Sequence, residues 1–291
     1  MNLSRNAVER GVYIIFLLMG LTSVGFVLLI SVYLIISGIP AIREIGLIPF
    51  LFGTEWASTA AHPKFGILPF ILTSIYGTSG AVLLGVPLGI LTAAYISKLA
   101  PGPVREFMED AVSLLAGIPS VVIGLVGMAV IVPAIQVAFK VPAGSCLLAS
   151  IAVLTIMILP SIVKVSSDGL HAVDKDVEAG SLALGATPVE TVFRVSIPAA
   201  KSAIAAACIL GVGRAIGEAM AVMMVSGNAA HMPGIFESVR FLTTAVASEM
   251  SYASGLQREA LFSIALVLFL FIMLVNAVLG VVTGRGKEVR S

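Results

Sequence analysis

Charged side chains are scarce in this sequence. They make up 11% of the 291 residues, against roughly a quarter in soluble domains, while apolar residues make up 58%. This composition excludes an ordinary water-soluble domain. The net charge of +1, without any dense basic run, gives no indication of a nucleic-acid partner. The sequence therefore predicts an all-α protein that crosses the membrane several times.

Residues that carry covalent or metal chemistry are also few. The two cysteines, Cys146 and Cys208, are expected on spans at different depths, so we expect no disulfide between them. The three histidines are scattered over loops on both sides, so we expect neither a metal site nor another cofactor on this chain. Neither a G-x-x-x-x-G-K-[ST] loop nor a G-x-S-x-G elbow occurs. We therefore expect no catalytic residue, and any energy source must lie on another chain or in an ion gradient.

Long apolar runs dominate the sequence, and they predict six transmembrane helices in a single membrane domain, residues 1–291. The predicted spans cover residues 12–36, 67–97, 109–137, 145–165, 201–227 and 259–283. The first run is about twice as long as the apolar core of a signal peptide, so we expect it to remain as a span.

Lysine and arginine residues are distributed unevenly between the predicted loops. Eleven fall on the side that carries both termini, and five fall on the other side. Because cytoplasmic loops are enriched in these residues, we expect a multi-pass protein of the plasma (inner) membrane with both termini in the cytoplasm.

Two charged residues, Arg214 and Glu218, lie deep inside the apolar stretch from Ala199 to Asn228. A charge at the centre of a membrane helix costs ~2.5–3.5 kcal/mol or more, so it normally faces a bundle interior or a water-filled path. The two residues are four positions apart, which predicts that they lie one turn apart on the same helix face. They could form a structural ion pair that locks packing, or an anion site on a conduction path, and we favour the second interpretation.

Glycines at four-residue spacing occur in two of the predicted spans. Gly85 and Gly89 lie in the second span, and Gly213 and Gly217 lie in the fifth. Small residues at this spacing form a face that another helix can approach closely. We therefore predict that these four glycines mediate helix packing.

The segment between the fourth and fifth spans, residues 164–201, has an ordered pattern. Thr187 and Glu190 are spaced as a capping box with Pro188 at the first helical position, and Gly185 supplies a turn before it. The pattern predicts two short helices at an angle, with an apolar stripe that includes Val192. The stripe could enter a groove of another protein or pack on this chain's own helix ends.

This segment resembles the EAA loop of ABC-importer permeases, in which E-A-A-x-x-x-G is followed by an apolar pair and L-P. Glu178-Ala179, Gly185 and Val195-x-Ile197-Pro198 match the pattern, although Glu178 lies seven residues before Gly185, where the family usually has six. Ala179 therefore occupies the usual acidic position. The resemblance implies an ATPase-coupling role, and the residues to which we assign it are Glu178, Ala179, Gly185, Val192, Phe193 and Pro198.

A second resemblance extends along most of the chain. The sequence GRAIGEAMAV, from Gly213 to Val222, is similar to the G-R-A-[IL]-G-E-[TA]-M-A-V segment of the PstC-type permease subunits of phosphate ABC importers. FGILPFILTSIYGT at residues 65–78 and LAGIPSVVIGL at residues 115–125 add to the match.

The PstC-type resemblance implies the fold of a type I ABC importer permease and an assembly around it. The implied partners are a PstA-like second permease subunit, two PstB-like ATPase subunits and a PstS-like phosphate-binding protein on the outside. Phosphate would be the cargo. In that family, the residues that match Arg214 and Glu218 are implicated in the passage of phosphate.

Two alternatives remain open at this stage. A permease for another oxyanion, molybdate or tungstate, would share the EAA loop. A proton-coupled secondary transporter would use Glu218 as a proton carrier and would need no ATPase partner.

Overall fold

The computed structural model describes the backbone of residues 3–284 and the side chains of residues 9–278 and 280. Arg285, Lys287 and Arg290, which contribute to the charge count above, lie outside the described residues. The helices, numbered along the chain, are α1 Leu3–Ile45, α2 Leu47–Phe52, α3 Leu68–Ala94, α4 Gly102–Gly117, α5 Ser120–Val126, α6 Val132–Phe139, α7 Leu147–His171, α8 Lys175–Ala183, α9 Pro188–Thr191, α10 Ile197–Ala199, α11 Lys201–Gly217, α12 Met220–Val225, α13 Leu242–Glu249 and α14 Gly255–Gly284.

Three π-helical turns extend or join these helices, and two short strands complete the described structure. The π-helical turns are Tyr95–Leu99 after α3, Gly127–Ile131 between α5 and α6, and Val192–Ser196 between α9 and α10. The strands β1 Trp56–Ala57 and β2 Lys64–Phe65 pair antiparallel, with Trp56 opposite Phe65.

Five helical runs in the described part of the chain are long and apolar enough to cross a membrane. They are Glu9–Ile45, Leu68–Leu99, Ser120–Phe139, Leu147–His171 and Gly255–Val278. A sixth is obtained if Pro188–Ala199 and Lys201–Gly217, which meet at an angle of 74°, count as one bent span. The prediction of an all-α polytopic membrane protein is confirmed.

The third span differs from the prediction, because residues 109–137 do not form one helix. α4 ends at Gly117, Ile118 is extended with φ −72° and ψ 127°, and a new helix starts after Pro119. A proline disfavours the helical conformation of the residue that precedes it, so Ile118 leaves the helix. The apolar run that is long enough to span the bilayer is therefore Ser120–Phe139.

The fifth span, predicted over residues 201–227, is also interrupted. α11 ends at Gly217, and Glu218 is extended with φ −72° and ψ 128° before α12 begins at Met220. The Thr243 hydroxyl of α13 donates to the backbone carbonyl of Glu218 at 2.8 Å, which replaces a helical hydrogen bond. The prediction that Arg214 and Glu218 lie one turn apart on a single helix was wrong, because Glu218 lies beyond the end of α11.

The centre of the bundle is the close packing of α3 against α7. A Cβ atom at Gly85 would lie 2.7 Å from Ile158 Cδ1, and one at Gly89 would lie 2.6 Å from Ile162 Cγ2. Only a residue without a side chain allows this approach of the two helices. In the described part of the chain, by contrast, nothing lies within 4 Å of a Cβ at Gly213 or Gly217. Their role in helix packing stays a prediction.

The bundle has two ends that differ in structure. α8, α9 and α10 lie at one end, where α3 finishes and α11 starts; we call it the α8–α10 end. α2, the two strands and α13 lie at the other, which we call the α2–α13 end.

α1 packs along α14, where Ser263 Oγ donates to the Gly38 carbonyl at 2.6 Å. The apolar side chains of α1 from Val12 to Ile36 are largely exposed and form a surface suited to lipid or to another membrane subunit.

Candidate translocation site and coupling segment

Arg214 reaches across from α11 to α7. Its Nη1 donates to Ser161 Oγ at 2.9 Å, and both residues are partly buried. Ser161 lies 14 residues after the first residue of the 25-residue helix α7, which places it ~21 Å along the helix axis. Arg214 lies 13 residues, or ~20 Å, from the start of α11. The pair therefore lies near the middle of the bundle's depth.

The guanidinium of Arg214 has no carboxylate partner among the residues that the structure describes. No ion pair with an N–O distance of 4.0 Å or less involves it in this part of the chain. Glu218 has a different contact, since its Oε1 accepts from the backbone N–H of Ala221 at 2.9 Å. The carboxylate thus stabilises the first turn of α12. The structure brings Arg214 together with Ser161, and it does not bring Arg214 and Glu218 into a direct ion pair.

Ser161 was missed by the sequence analysis, although the sequence contains a signal. It follows Pro160 in the apolar run LTIMILPSIV, at the middle of a span. A proline inside a helix removes one backbone donor and disturbs the regular ladder, and a hydroxyl beside it is a polar group at membrane depth. Both features mark the position, but neither indicates which residue it contacts.

The turn between α8 and α9 has the predicted local structure. Thr187 Oγ1 accepts from the Glu190 backbone N–H at 3.3 Å, and Glu190 Oε2 accepts from the Thr187 N–H at 2.9 Å. The capping box is therefore confirmed. Hydrogen bonds from the backbone N–H and the hydroxyl of Thr187 lower the pKa of the Glu190 carboxyl below its ordinary value. Gly185 has φ +90°, a conformation that glycine adopts without strain.

The residues assigned to ATPase coupling divide into two groups. Ala179, Gly185, Phe193 and Pro198 are exposed. Val192 is only 3% exposed and belongs to a buried cluster with residues of α3, α7 and α11. Packing on this chain's own helices, the second of the two alternatives, is therefore the arrangement at Val192. The exposed apolar surface that remains includes Phe193, and Leu184 at the turn is 91% exposed.

Glu178, the sixth residue of this set, points toward its own chain. Lys98 Nζ lies 2.7 Å from Glu178 Oε1, and Ser196 Oγ donates to the same oxygen at 2.6 Å. The Lys98 and Glu178 side chains are 13% and 18% exposed. Burial by itself raises the pKa of the Glu178 carboxyl, but the hydrogen bonds from Lys98 and Ser196 and the charge of Lys98 outweigh it. The pKa therefore lies below its ordinary value, and the carboxyl is ionised at neutral pH.

A second polar network closes the α2–α13 end. The Glu249 carboxylate accepts from Arg240 Nη1 at 2.5 Å, from Gln257 Nε2 at 2.9 Å and from Trp56 Nε1 at 3.2 Å. The Arg240 guanidinium also lies over the Phe70 ring, 5.8 Å from its centroid. Glu249 thereby joins the β1–β2 hairpin, the loop that precedes α13 and the start of α14.

Residues 85–285 match the family described as the inner membrane component of binding-protein-dependent transport systems. Because the match covers more than half of the sequence, the chain belongs to this family. It is thus a membrane transport component and not itself an enzyme.

Particular relatives extend the comparison over most of the chain. It is 38% identical over 256 residues to the probable ABC transporter permease protein YqgH of Bacillus subtilis, covering 85% of this chain and 83% of the relative. It is 32% identical over 250 residues to the phosphate transport system permease protein PstC of Mesorhizobium japonicum, covering 79% and 76%. The PstC of Haemophilus influenzae is 30% identical over 272 residues, covering 86% and 85%. The predicted resemblance to PstC-type permeases is confirmed.

Solved structures show the same fold at low sequence identity. A chain of a bacterial alginate ABC transporter superposes with a TM-score of 0.64 at 14% identity, covering 94% of both chains. A chain of the MetNI methionine ABC transporter, in an inward-facing conformation, has a TM-score of 0.59 at 16% identity, covering 75% of this chain and 96% of its own. The predicted fold of a type I ABC importer permease is thereby confirmed.

Proposed function

We propose that this chain is the PstC-like permease subunit of an ATP-driven phosphate importer and forms half of its translocation path. Family membership supports the transport role, and the relatives named PstC support phosphate as the cargo. The observation that carries the proposal is the placement of Arg214 near mid-depth with a neutral hydroxyl, and with no carboxylate within 4.0 Å among the described residues.

The chemistry of this placement suits an oxyanion. A charge removed from water is strongly destabilising when its partner is missing, by ~3–5 kcal/mol for a buried pair broken on one side. A passing anion provides the missing negative charge, and the planar guanidinium can donate two parallel hydrogen bonds to a tetrahedral phosphate. We propose that Ser161 holds the Arg214 side chain in place between transport cycles and that phosphate then binds the remaining N–H groups.

Glu218 has a modified role in this proposal. It does not neutralise Arg214 by a direct contact; it stabilises the break between α11 and α12 through its Oε1. Its second carboxylate oxygen is a candidate acceptor for the proton of HPO₄²⁻, which fully ionised sulfate lacks. This contact would favour phosphate over sulfate in the path.

The assembly follows from the same proposal. A PstA-like permease subunit completes the path, two PstB-like ATPase subunits dock at the α8–α10 end through its exposed residues, and a PstS-like binding protein delivers phosphate at the α2–α13 end. The α8–α10 end and both termini are then cytoplasmic, in the plasma (inner) membrane. Family membership disfavours a proton-coupled secondary transporter, because the family is defined by dependence on a binding protein.

The proposal is tested with the complete complex in proteoliposomes. The complex is oriented so that the lumen corresponds to the cytoplasm, and the lumen contains ATP. Uptake of radiolabelled phosphate should require both ATP and the external binding protein. Unlabelled molybdate, tungstate and sulfate, added separately, should not compete. Competition by molybdate or tungstate would assign the complex to another oxyanion, and uptake driven by a proton gradient without ATP would overturn the ABC assignment.

A further inference from the structure

One carboxylate in α8 joins three separate elements of the fold. Glu178 Oε1 contacts Lys98, in the π-helical turn at the end of α3, and Ser196, the last residue of the π-helical turn after α9. Glu178 is partly buried, whereas its sequence neighbour Val177 is 53% exposed and Ala179 is also exposed. The carboxylate therefore faces the body of this chain and is turned away from the surface on which an ATPase would dock.

Apolar packing cannot supply the same connection. α8 contains no buried residue, so it does not insert a hydrophobic side chain between α3 and α7. An ion pair that is largely removed from solvent is screened less than a surface pair, and it resists displacement better. Among the described residues, the ion pair between Glu178 and Lys98 is therefore the side-chain contact that connects α8 to the end of α3.

The link continues from α3 into α7. The hydroxyls of Ser97 and Ser167, both buried, are 2.7 Å apart and tie the same π-helical turn to α7. Farther along, α3 and α7 are in close contact at Gly85 and Gly89. The two helices can therefore move as one unit, and α7 carries Ser161, the partner of Arg214.

We infer that Glu178, Lys98 and Ser196 form an internal strut that transmits the displacement of α8 to α3 and α7. Glu178 is then a positioning residue for coupling and not a contact for the ATPase. This inference rests on the proposed function, because it assumes an ATPase that moves α8. It also accounts for the shifted register of Glu178, since the exposed Ala179 occupies the position where the EAA pattern has its acidic residue.

The first test measures phosphate imported per ATP hydrolysed in proteoliposomes that contain the complete complex. Glu178→Gln and, separately, Lys98→Gln should keep ATP hydrolysis but lower this ratio by about fivefold or more. The control is Glu106→Gln, an exposed acid on α4 outside the α8–α10 helices, which should leave the ratio unchanged. The double variant Lys98→Glu with Glu178→Lys should recover most of the ratio, because the Ser196 hydroxyl can accept as well as donate.

The inference is overturned if Glu178→Gln keeps the wild-type ratio. It is also overturned if Glu178→Gln releases the ATPase from the complex and the charge-reversed pair does not restore it, since that result identifies a direct ATPase contact. A wild-type complex that hydrolyses ATP without importing phosphate would instead contradict the proposed function.

A second measurement does not depend on the cargo. Spin labels at Leu182→Cys on α8 and Leu83→Cys on α3, both exposed positions, report the distance between the two helices after Cys146 and Cys208 are replaced by alanine. With the strut intact, the distance distribution should be the same in the nucleotide-free and ATP-bound complex. Glu178→Gln should shift or broaden it when ATP binds. A wild-type distribution that already changes with nucleotide would show that α8 and α3 do not move together.

Discussion

The Arg214 guanidinium and the Ser161 hydroxyl, 2.9 Å apart, connect the last turn of α11 to the middle part of α7. The contact combines a charge that is costly to place in a membrane with a neutral partner, which we propose a passing anion replaces. α11 ends at Gly217, three residues after Arg214, so the C-terminal end of the helix lies beside this contact. The proposed anion site depends on this pair, whereas the transport role follows from family membership.

Arg214→Lys should lower the rate of phosphate uptake at least tenfold, because an ammonium group cannot donate two parallel hydrogen bonds in one plane. The rate is measured in proteoliposomes at equal amounts of assembled complex. Arg43→Lys, at an exposed position near the end of α1, is the control and should transport as the wild type does. Undiminished uptake by Arg214→Lys would rule out bidentate recognition.

Ser161→Ala should reduce uptake by about tenfold or more, since a hydrogen bond to a charged group contributes ~1.5–3 kcal/mol. Ser161→Thr keeps the hydroxyl and should retain most of the rate. If alanine and threonine gave the same rate, the hydroxyl would have no part in holding Arg214.

Gly185→Val should uncouple ATP hydrolysis from uptake. Its φ of +90° is strained for a β-branched residue, so the angle between α8 and α9 would change. Gly185→Asn is the matched variant. Because asparagine tolerates a positive φ better than valine does, this variant should lose less of the coupling between ATP hydrolysis and uptake. Since a Cβ here meets nothing within 4 Å in the described structure, any loss reports the backbone and not a clash. Normal coupling in the valine variant would contradict the turn assignment.

Gly89→Ala should destabilise the chain by about 1–3 kcal/mol, because its Cβ would lie 2.6 Å from Ile162 Cγ2, a branch that cannot swing away freely. Thermal unfolding in detergent measures the effect. Gly25→Ala in α1 has open space around its Cβ and is the control. Alanine favours a helix over glycine by about 1 kcal/mol at both positions, so a lower melting temperature only at Gly89 isolates the helix contact.

Glu249→Ala should lower the stability by about 3 kcal/mol, since it leaves Arg240, 17% exposed, without its carboxylate partner. Glu55→Ala provides the comparison. Glu55 forms an ion pair with Lys64, and the two side chains are 65% and 60% exposed, respectively. Such surface pairs contribute about 1 kcal/mol at most to stability. Equal melting temperatures for the two variants would show that the Glu249 network does not stabilise the α2–α13 end.

The lowered pKa of Glu178 predicts a pH dependence of the α8–α10 end. A carboxyl whose pKa is lower in the folded than in the unfolded state stabilises the fold above its ordinary value, about 4.3, and this contribution disappears as pH falls through the lowered value. Protection of α8 from hydrogen exchange, corrected for intrinsic rates, should therefore be constant between about pH 6 and 8 and fall only in acid. In Glu178→Gln, the part of the acid-induced loss of protection that comes from protonation of the Glu178 carboxyl should be absent. A loss of protection near neutral pH in the wild type would contradict this prediction, because a carboxyl with a lowered pKa changes its charge only in acid.

Local patterns of the sequence predicted several elements correctly. The apolar runs indicated the membrane class, and the spacing of Thr187 and Glu190 indicated the capping box. Gly85 and Gly89 marked the side of α3 that α7 approaches. These features depend on residues close together in the chain, where propensity, hydrogen bonding and helix periodicity act directly.

Contacts between distant residues were decided by the tertiary structure. Arg214 and Glu218 are four residues apart, and helix periodicity predicted a shared face, but α11 ends at Gly217 and Glu218 is extended, with its carbonyl accepting from the Thr243 hydroxyl. Ser161 is 53 residues from Arg214 in the chain, and no local pattern specifies that pair. The sequence by itself determined that charge enters the membrane and where the helices can form. Which polar group meets that charge was decided by the packing of α7 on α11, because a buried donor takes the partner that the assembled helices bring within reach.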